Sequence, residues 1–464
     1  MSALFDAGAP RPLFAAPARY LSRPDCEAIA KKVLGFAAAD ETRVSISSGV
    51  SGNTRFAVNQ VSTAGDTYDA VVTVRSVFGR RGASATTNKL DDASLRAVVQ
   101  RAEALARLAP EDPEALPELG AQQYRDSDAG WSETTATLDP SGRATAVRAV
   151  AEPARAASLT STGYMETNAG AFAIANSKGL FAYRRQTASS MTTTVRTPDG
   201  TGSGWAGASH HDWSRIDAAA LGARAIEKAK RSANPVAIEP GRYTVVLEPT
   251  AVANLVQLIA GSLGARNADE GRSFFSKPGG GNKIGMKVLD ERVTLSSDPF
   301  DPETPGAPFT GDGTPVGPTT WIEKGVVKNL AYDRYWAQKN NATPSSVSGL
   351  RMSGGTASLE DMIASTARGL LVTRLWYIRG VDPRTILFTG LTRDGTFLIE
   401  NGKITRAVKN LRWNESPIFM LNNLEAMGVP VRVSASEDGS PGQAIVVPPV
   451  KARDFNFTST SDAV

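Results

Sequence analysis

Residues 395–408 read Gly-Thr-Phe-Leu-Ile-Glu-Asn-Gly-Lys-Ile-Thr-Arg-Ala-Val, and this stretch indicates the local fold more clearly than any other. Two runs of apolar and β-branched residues flank the pair Asn401-Gly402. Asn and Gly both tolerate the positive φ angles that a two-residue hairpin turn requires. The stretch therefore predicts a β-hairpin, and Trp321-Ile-Glu-Lys-Gly-Val-Val predicts a second, weaker one.

The residues upstream of these hairpins predict a strand followed by a helix. Tyr243-Thr-Val-Val-Leu is typical of a strand. In the helix, one apolar stripe is formed by Val252, Leu255, Val256, Ile259 and Leu263. A loop rich in Gly and Pro is expected over residues 277–318. These elements form a predicted β-rich C-terminal domain, residues 236–464.

The first part of the chain predicts an antiparallel sheet packed with helices. Strands are expected at residues 43–46, 54–58 and 68–77, separated by Gly, Ser and Asn clusters. A helix capped by Asp25 is expected up to Phe36, and another from Leu90 to Leu108. The Pro-rich residues 110–117 end this predicted domain, residues 1–117.

A middle domain is predicted for residues 118–235, with a helix at 144–155, strands within 160–197 and a helix at 218–230. Three domains agree with a length of 464 residues, since one domain uses roughly 150. Strands and helices do not alternate regularly. The predicted fold class is therefore α+β, with several domains of antiparallel sheets packed with helices, rather than a doubly wound α/β sheet.

Composition excludes several classes of protein. With 41% hydrophobic residues, 21% charged residues and a net charge of +4, the chain is expected to be globular and to bind no nucleic acid. The adjacent arginines Arg80-Arg81 and Arg184-Arg185 are expected on a solvated surface. The uncharged stretch from Pro249 to Ala265 is shorter and more polar than the roughly 20 apolar residues of a membrane helix, so no membrane span is expected.

Cys26 is the single cysteine, so an intrachain disulfide is excluded and a reducing compartment is favoured. The N-terminal residues lack a basic region followed by an apolar core, and no signal peptide is expected. The predicted location is the cytoplasm. Cys26 itself is expected to be a buried or half-buried structural residue in the first helix.

Metal-binding patterns are scarce. His210 and His211 are the only histidines, and adjacent side chains diverge too far to share one zinc ion easily. They are expected to be an exposed loop pair. The carboxylates of Asp298, Asp301 and Glu303 offer an oxygen-ligand alternative, but the surrounding prolines favour consecutive turns with solvated carboxylates.

Nucleophile and phosphate-binding motifs are also missing. The sequence contains neither Gly-x-Ser-x-Gly nor Ser-x-x-Lys. Residues 202–207 match the pattern Gly-x-Gly-x-x-Gly, but they lead into Ser-His-His-Asp rather than a helix, which predicts a loop. Residues 279–285 precede Met286 where a phosphate loop would have lysine, and a loop is expected there too. No catalytic, cofactor-binding or metal-binding residue is predicted.

Several degenerate pieces occur in a characteristic order along nearly the whole chain: residues 54–59, 79–88, 176–179, 243–249, 313–315, 321–326, 369–373 and 395–408. Together they resemble the TldD/TldE (PmbA) family of bacterial and archaeal peptidase-related proteins. The resemblance implies a two-subunit protease. A TldD-type chain holds the metal through a His-Glu-x-x-x-His helix and a later cysteine, and a TldE-type partner lacks these ligands.

This sequence is similar to the TldE type. Aligned with the family motif, Gln257, Leu258 and Ser262 occupy the helix positions, and Asp438 occupies the cysteine position. The resemblance therefore implies no cofactor in this chain, zinc in a TldD-like partner, and an unfolded peptide as substrate.

Three hypotheses about function remain open. The leading hypothesis is a non-metal-binding subunit of a cytoplasmic TldD/TldE-type metallopeptidase complex, with a homodimer if the partner is absent. The competing hypothesis is a stand-alone metal-independent hydrolase using carboxylates such as Glu248, Asp290 or Asp438, an enzyme using a non-zinc ion, or a homodimeric peptide-binding protein. A scaffolding role outside proteolysis is a third, smaller possibility.

Overall fold

The computed structural model of the protein describes residues 20–434 and 444–461. Its N-terminal half is built on a six-stranded antiparallel sheet in the order β3-β2-β1-β4-β5-β6. The strands are β1 (Glu41–Ala57), β2 (Gln60–Phe78), β3 (Arg81–Thr87), β4 (Thr160–Asn176), β5 (Phe181–Arg196) and β6 (Ser203–His210).

Strand β1 is longer than the sequence predicts. The two strands expected at residues 43–46 and 54–58 are parts of one continuous strand, so the turn expected between them is wrong. Residues 48–53 stay extended because they pair with β2 on one side and with β4 on the other. Val58 lies outside the strand, in the turn to β2, with a φ of 50°.

Helices cover one face of this sheet. They are α1 (Arg23–Phe36), α2 (Asp92–Leu108), α3 (Glu133–Ala136), α4 (Pro140–Ala156) and α5 (Ala218–Arg231), with a 3₁₀ turn at Trp213–Arg215. Val44 and Ile46 of β1 join the core under α1 and α2, whereas Phe56 joins the core under α4 and α5. The same strand thus supports two helical layers, one at each end.

The cap of α1 differs from the prediction. Ser22 is the N-cap, and its side chain accepts a hydrogen bond from the backbone N–H of Asp25. The Asp25 carboxylate accepts the N–H of Ser22 in return, which completes a capping box. Asp25 is therefore the third residue of the helix rather than its cap. Pro24 fits the first turn, where its missing N–H has no helical partner to lose.

The loop predicted for residues 202–207 is wrong, because this segment is largely strand β6. Its glycines serve close packing instead of phosphate binding. A Cβ on Gly204 would lie 2.2 Å from the carbonyl oxygen of Ala225 in α5. Glycine at this position lets the helix rest directly on the strand.

The C-terminal half contains two further sheets. The nine-stranded sheet has the path β13-β14-β17-β21-β7-β12-β15-β16, with β18 paired to β21, and consists of β7 (Gly241–Leu247), β12 (Arg368–Val372), β13 (Leu375–Asp382), β14 (Leu387–Thr392), β15 (Thr396–Glu400), β16 (Lys403–Ala407), β17 (Leu411–Glu415), β18 (Leu424–Met427) and β21 (Val450–Thr460). The six-stranded sheet has the order β10-β9-β8-β11-β20-β19 and consists of β8 (Leu295–Ser297), β9 (Thr319–Glu323), β10 (Val326–Val327), β11 (Leu350–Met352), β19 (Val431–Ser434) and β20 (Ala444–Val447). Strand β8 interrupts the loop predicted for residues 277–318.

One large core joins the two C-terminal sheets. The helices of this half are α6 (Pro249–Gly261), α7 (Ala265–Asp269), α8 (Arg334–Lys339), α9 (Leu359–Ala364) and α10 (Pro417–Asn422). The apolar stripe predicted for α6 is fully buried in this core, beside Leu247 of one sheet and Val447 of the other. Burial of α6 on several sides explains why its sequence is apolar almost all round.

Both predicted hairpins form. Strands β15 and β16 pair around Asn401 and Gly402, which have φ angles of 51° and 75°. Strands β9 and β10 pair around Lys324-Gly325. Asn and Gly supply the positive φ of the first turn at low conformational cost.

A buried ion pair of the C-terminal half contacts the N-terminal half. Arg374 Nη1 lies 2.8 Å from Asp394 Oδ2, and both side chains are at most 3% exposed. The hydroxyl of Ser203, at the start of β6, donates to Asp394 Oδ1 at 2.6 Å. The guanidinium of Arg374 lies over the ring of Trp205 at 4.4 Å and over that of Trp376 at 4.8 Å.

The predicted α+β class is confirmed. The sheets of the C-terminal half are mixed rather than wholly antiparallel, since β7 pairs parallel to β12 and β11 parallel to β20. The domain limits 1–117, 118–235 and 236–464 stay predictions, and strands from the first two ranges share one sheet. Within the described residues, no helix combines the length and the hydropathy needed to cross a membrane.

Candidate functional site

The face of the N-terminal sheet opposite the helices is open and polar. The alternation of side chains along each strand places Ser47, Gly49 and Ser51 of β1 on this face. The cross-strand register brings Gly170 and Asn168 of β4 beside them. Further side chains of this face are Asp69 and Val71 of β2, Phe172 and Glu166 of β4, and Arg184, Gln186, Ala188 and Ser190 of β5.

Two glycines leave the centre of this face without projecting side chains. Gly49 and Gly170 are directly opposed in the ladder. A Cβ on Gly49 would lie 2.7 Å from the carbonyl oxygen of Ala169, and one on Gly170 would lie 2.6 Å from that of Ser48. Side chains are thus excluded where these two glycines pair, and a shallow trough results.

A cleft separates the open face from loops of the C-terminal half. Its volume is about 750 Å³. The sheet side includes Arg184 and Ser190, and the opposite side includes Phe300, Thr304 and Arg432. A second depression of about 390 Å³ lies on the sheet itself and shares Asn168, Arg184, Gln186 and Ala188 with the cleft. The two depressions share these four lining residues and form one continuous groove.

Fixed charges lie at one end of the groove. Arg185 pairs with Asp128, whose carboxylate accepts from Nη2 at 2.8 Å and from Nε at 3.0 Å. Arg184 donates to Gln186 and lies over the ring of Phe172. The expectation that these two arginines lie on a solvated surface is wrong, because both line the cleft and are partly buried.

The two histidines also line the cleft, and the exposed loop pair predicted for them is wrong. His210 is the last residue of β6 and is 9% exposed. Its Nδ1 accepts the backbone N–H of Asp212 at 2.9 Å, and its ring centroid lies 4.3 Å from that of His211. Burial and then the nearby Arg432 lower the pKa of His210 to about 4. The same two causes lower the pKa of His211, so both rings are neutral at pH 7.

The helix positions implied by the family motif hold no metal-binding side chains. Gln257 and Leu258 are half-buried in α6, and Leu258 packs against the large core. The Ser262 hydroxyl donates to the carbonyl oxygen of Leu258 at 2.8 Å. None of the three carries an imidazole or a carboxylate, so these residues do not fit a zinc ion. Asp438 lies outside the described residues.

Other candidate ligands are already engaged in local contacts. Asp298 and Asp301 each accept a backbone N–H two residues ahead, as expected for consecutive turns. Asp301 also binds Arg351, with Oδ2 2.7 Å from Nη2, so its carboxylate is not simply solvated. Across residues 20–434 and 444–461, no group of three or more His, Cys, Asp or Glu side chains is placed to hold a metal ion.

The remaining residues singled out from the sequence are also accounted for. Cys26 is buried in α1, as predicted, and burial raises the pKa of its thiol to about 11. Glu248 lies 2.6 Å from Lys228 Nζ. Asp290 binds Arg292, which is the main reason that its pKa is lowered to about 2. Both carboxylates hold structural partners rather than facing the cleft.

The sequence contains a local signal for the groove. Small and polar residues alternate with buried ones in Ser47-x-Gly-x-Ser51, Asn168-x-Gly170 and Gln186-x-Ala-x-Ser190. A period of two with a polar face predicts a sheet whose second side faces solvent or a ligand. The contribution of Arg432, more than 200 residues away, carries no local signal.

Known proteins match this chain throughout. The descriptions of the PmbA/TldA metallopeptidase family match in order, with domain 1 at residues 43–106, the central domain at 133–233 and the C-terminal domain at 240–459. A metalloprotease of Methanothermobacter thermautotrophicus is 25% identical over 254 residues, which are 50% of this chain and 53% of that protein. An uncharacterized protein of Methanocaldococcus jannaschii is 30% identical over 130 residues, 28% of this chain and 30% of that one. The chain thus matches about half the length of the first relative and less than a third of the second.

A solved structure shows the same fold over almost the full length. The crystal structure of TldE from Thermococcus kodakarensis superposes with a TM-score of 0.81 and 17% sequence identity. The match covers 93% of this chain and 99% of that chain. The order of the elements described above is therefore shared with a known protein.

Proposed function

The chain belongs to the PmbA/TldA metallopeptidase family, and from this membership we propose that it is the non-metal-binding subunit of a cytoplasmic TldD/TldE-type complex that degrades or processes unfolded peptides. A zinc-bearing, TldD-like homologue is the proposed partner. In this arrangement the partner supplies the metal, and this chain supplies part of the surface that holds the peptide.

The proposal is carried by the side chains of α6. Hydrolysis at zinc needs ligands that hold the ion and a carboxylate that moves a proton from the bound water. Gln257, Leu258 and Ser262 provide neither, and both histidines of the chain lie at 210 and 211, on another element. Cleavage is therefore assigned to the partner.

The open face of the N-terminal sheet supports a role in holding peptide. Its small polar side chains leave a trough that continues into the cleft. An extended peptide of varied sequence fits such a surface better than a bulky, shaped ligand does, because few side chains project into it. This agrees with the proposed substrates, which are unfolded peptides of varied sequence.

The experiment that tests the proposal mixes the purified chain with a family member from the same genome that has the His-Glu-x-x-x-His helix. Light scattering after size exclusion reports the complex, and cleavage of an unfolded protein such as reduced casein reports activity. We expect no cleavage by this chain alone, and cleavage by the mixture that a chelator abolishes.

A matched control replaces the first histidine of the partner's motif with alanine. This variant should still form the complex but should not cleave. Cleavage by this chain alone in the presence of chelator would instead favour the metal-independent hydrolase. A stable homodimer that does not bind the TldD-like chain would favour the peptide-binding protein. The ion pairs of Glu248 and Asp290 give the hydrolase no structural support.

A further inference from the structure

We propose that the outer edge of β2, over residues 60–71, is a docking edge for a second copy of this chain. The β2 strands of the two copies pair as antiparallel neighbours about a two-fold axis at Gly65. The proposal concerns this chain alone and does not rest on the proposed function.

The first argument is the length of this edge. Strand β3 pairs with the outer side of β2 only from Val72 to Phe78, and in the described part of the chain no other strand pairs with that side. Every residue from Gln60 to Asp69 is exposed. The backbone N–H of Ala70 donates to the carboxylate of the preceding Asp69 at 2.9 Å. A long row of backbone groups without a neighbouring strand is a template for pairing with another chain.

The second argument is that the edge has few of the features that prevent such pairing. Residues 60–71 contain no Lys, Arg or Pro, and their ladder with β1 has one irregularity, at Ser62. The outer strands of the nine-stranded sheet differ. Strand β16 carries Lys403 and Arg406, and the ladder of β13 has two register irregularities. Charged residues and irregular ladders hinder the addition of a strand, so β2 is the edge best suited to it.

The direction of the backbone groups follows from the neighbouring hairpin. Phe78 pairs with Arg81 across a two-residue turn, so the N–H and C=O of Phe78 point to β3, on the outer side of β2. This direction alternates along an antiparallel strand. Ala64, Asp66 and Tyr68 therefore point their backbone groups to the outer side as well, where a second copy can bind them.

Two constraints select the register. Because β3 occupies the edge from Val72 onward, the hairpin turn of the second copy, residues 58–59, has to end before that point. Residues that point outward must also lie opposite one another. Both conditions hold with Gly65 on the axis, which places Ala64 of one copy opposite Asp66 of the other. Each such pair exchanges two backbone hydrogen bonds.

The side chains are compatible with this register. Asp66 lies opposite Ala64 rather than an acid, and buried Arg143 already binds its carboxylate. Val61 and Tyr68 are 44% and 51% exposed, and both project to the side of the sheet that the helices cover. In the paired sheet Tyr68 of one copy lies close to Val61 of the other, so apolar surface is removed from water.

Pairing would also extend the candidate site. Two six-stranded sheets would become one sheet. Asp69 of β2 lines the depression on the open face. The grooves of the two copies would therefore lie on one continuous sheet surface.

The experiment measures the mass of the purified chain by sedimentation equilibrium over a range of concentrations. We expect the mass to rise with concentration from the 48.9 kDa of one chain to twice that value. Hydrogen exchange of the segment 60–71 should slow over the same range, because the amides of Ala64 and Asp66 become bonded to the second copy.

Two double variants test the register. Thr63 and Thr67 are exposed, and in the proposed register Thr63 of one copy lies opposite Thr67 of the other. Thr63→Lys/Thr67→Lys places Lys opposite Lys twice and should raise the Kd of the dimer at least tenfold. Thr63→Lys/Thr67→Glu is the matched control, because it places Lys opposite Glu, and its Kd should stay within threefold of the native value or fall. Circular dichroism confirms that each variant is folded.

A native chain that stays monomeric would overturn the pairing of two copies and leave the proposed function standing. A dimer that the Lys/Lys variant does not weaken, or that both variants weaken equally, would overturn it as well. If the native chain is monomeric and the Lys/Lys variant no longer binds the TldD-like chain, the edge belongs to that chain instead.

Discussion

At the scale of single residues, burial decides which side chains can ionise. Glu415 ends β17, and its two carboxylate oxygens accept the backbone N–H groups of Ser416 at 2.8 Å and Asn456 at 3.1 Å. Burial outweighs these two hydrogen bonds and raises the pKa of Glu415 to about 7. A carboxylate of this kind is partly protonated under physiological conditions, unlike Asp290, whose bound arginine keeps it charged.

The first prediction concerns this residue. Because the folded-state pKa is raised, Glu415 contributes stability that is fully present below its unfolded pKa near 4.5 and is lost as the pH rises to about 7. The loss amounts to about 3 kcal/mol if the whole shift is expressed. Urea denaturation at several pH values should show that Glu415→Gln removes this decline. The exposed Glu360→Gln serves as control and should leave the slope unchanged.

The histidines show why residue-level predictions from sequence are limited. The scarcity of histidine argued against a zinc site of the usual spacing, but it carried no information about burial. His210 and His211 are contacted by segments near residues 135, 189 and 432, which are far apart in the chain. Cys26, in contrast, was predicted to be a buried or half-buried structural residue because it lies in a helix without a visible catalytic base, and it is buried.

At the scale of elements, local backbone chemistry was predictive and long-range pairing was not. The β15–β16 hairpin follows from Asn401-Gly402 alone, since few residues adopt both φ angles. The length of β1 does not follow from its own residues, because Gly49 and Gly52 usually weaken a strand. It follows from two flanking ladders whose partners lie in β2 and β4.

The second prediction compares two glycines of similar φ. Gly402 has a φ of 75°, and an added Cβ would lie 2.5 Å from the carbonyl oxygen of Ala364. Gly200 has a φ of 73° and nothing within 4 Å of an added Cβ. Gly200→Ala should cost about 1 kcal/mol for the left-handed backbone alone. Gly402→Ala should cost clearly more, by thermal or urea denaturation, and an equal loss would contradict the contact with α9.

At the scale of the whole molecule, the candidate site depends on how the two halves meet. The sheet face comes from residues 47–190, and the loops and Arg432 that close the cleft come from residues 299–432. The alternation within β1, β4 and β5 could have predicted a polar face, but no local pattern shows what lies opposite it. The family resemblance implied the general fold and the absence of the zinc ligands from this chain. It identified none of the residues that line the groove.

The third prediction tests the contact between the halves. Asp394→Asn keeps the shape and tolerates the positive φ of 55° at this position, but it removes the charge that faces buried Arg374. Loss of one partner of a buried ion pair typically costs about 3–5 kcal/mol. Glu227→Gln breaks the exposed pair with Arg231 and should cost less than about 1 kcal/mol. Similar losses in the two variants, measured by denaturation, would show that the charge of Asp394 contributes little to stability where the halves meet.

The pairing of β1 with β4 also has a consequence for the time course of synthesis. Gly49 meets Gly170 only after the intervening chain, which includes α2 and α4, has been made. At roughly 5–20 residues per second on the ribosome, about 10 seconds pass in which β1 is complete and its β4 side has no partner. During this interval the nascent chain presents a long, unpaired backbone edge to its surroundings. Ser47 and Ser51, which line the groove in the finished protein, are therefore exposed to solvent at this stage. The edge of β1 beside them stays unpaired until β4 has been synthesised.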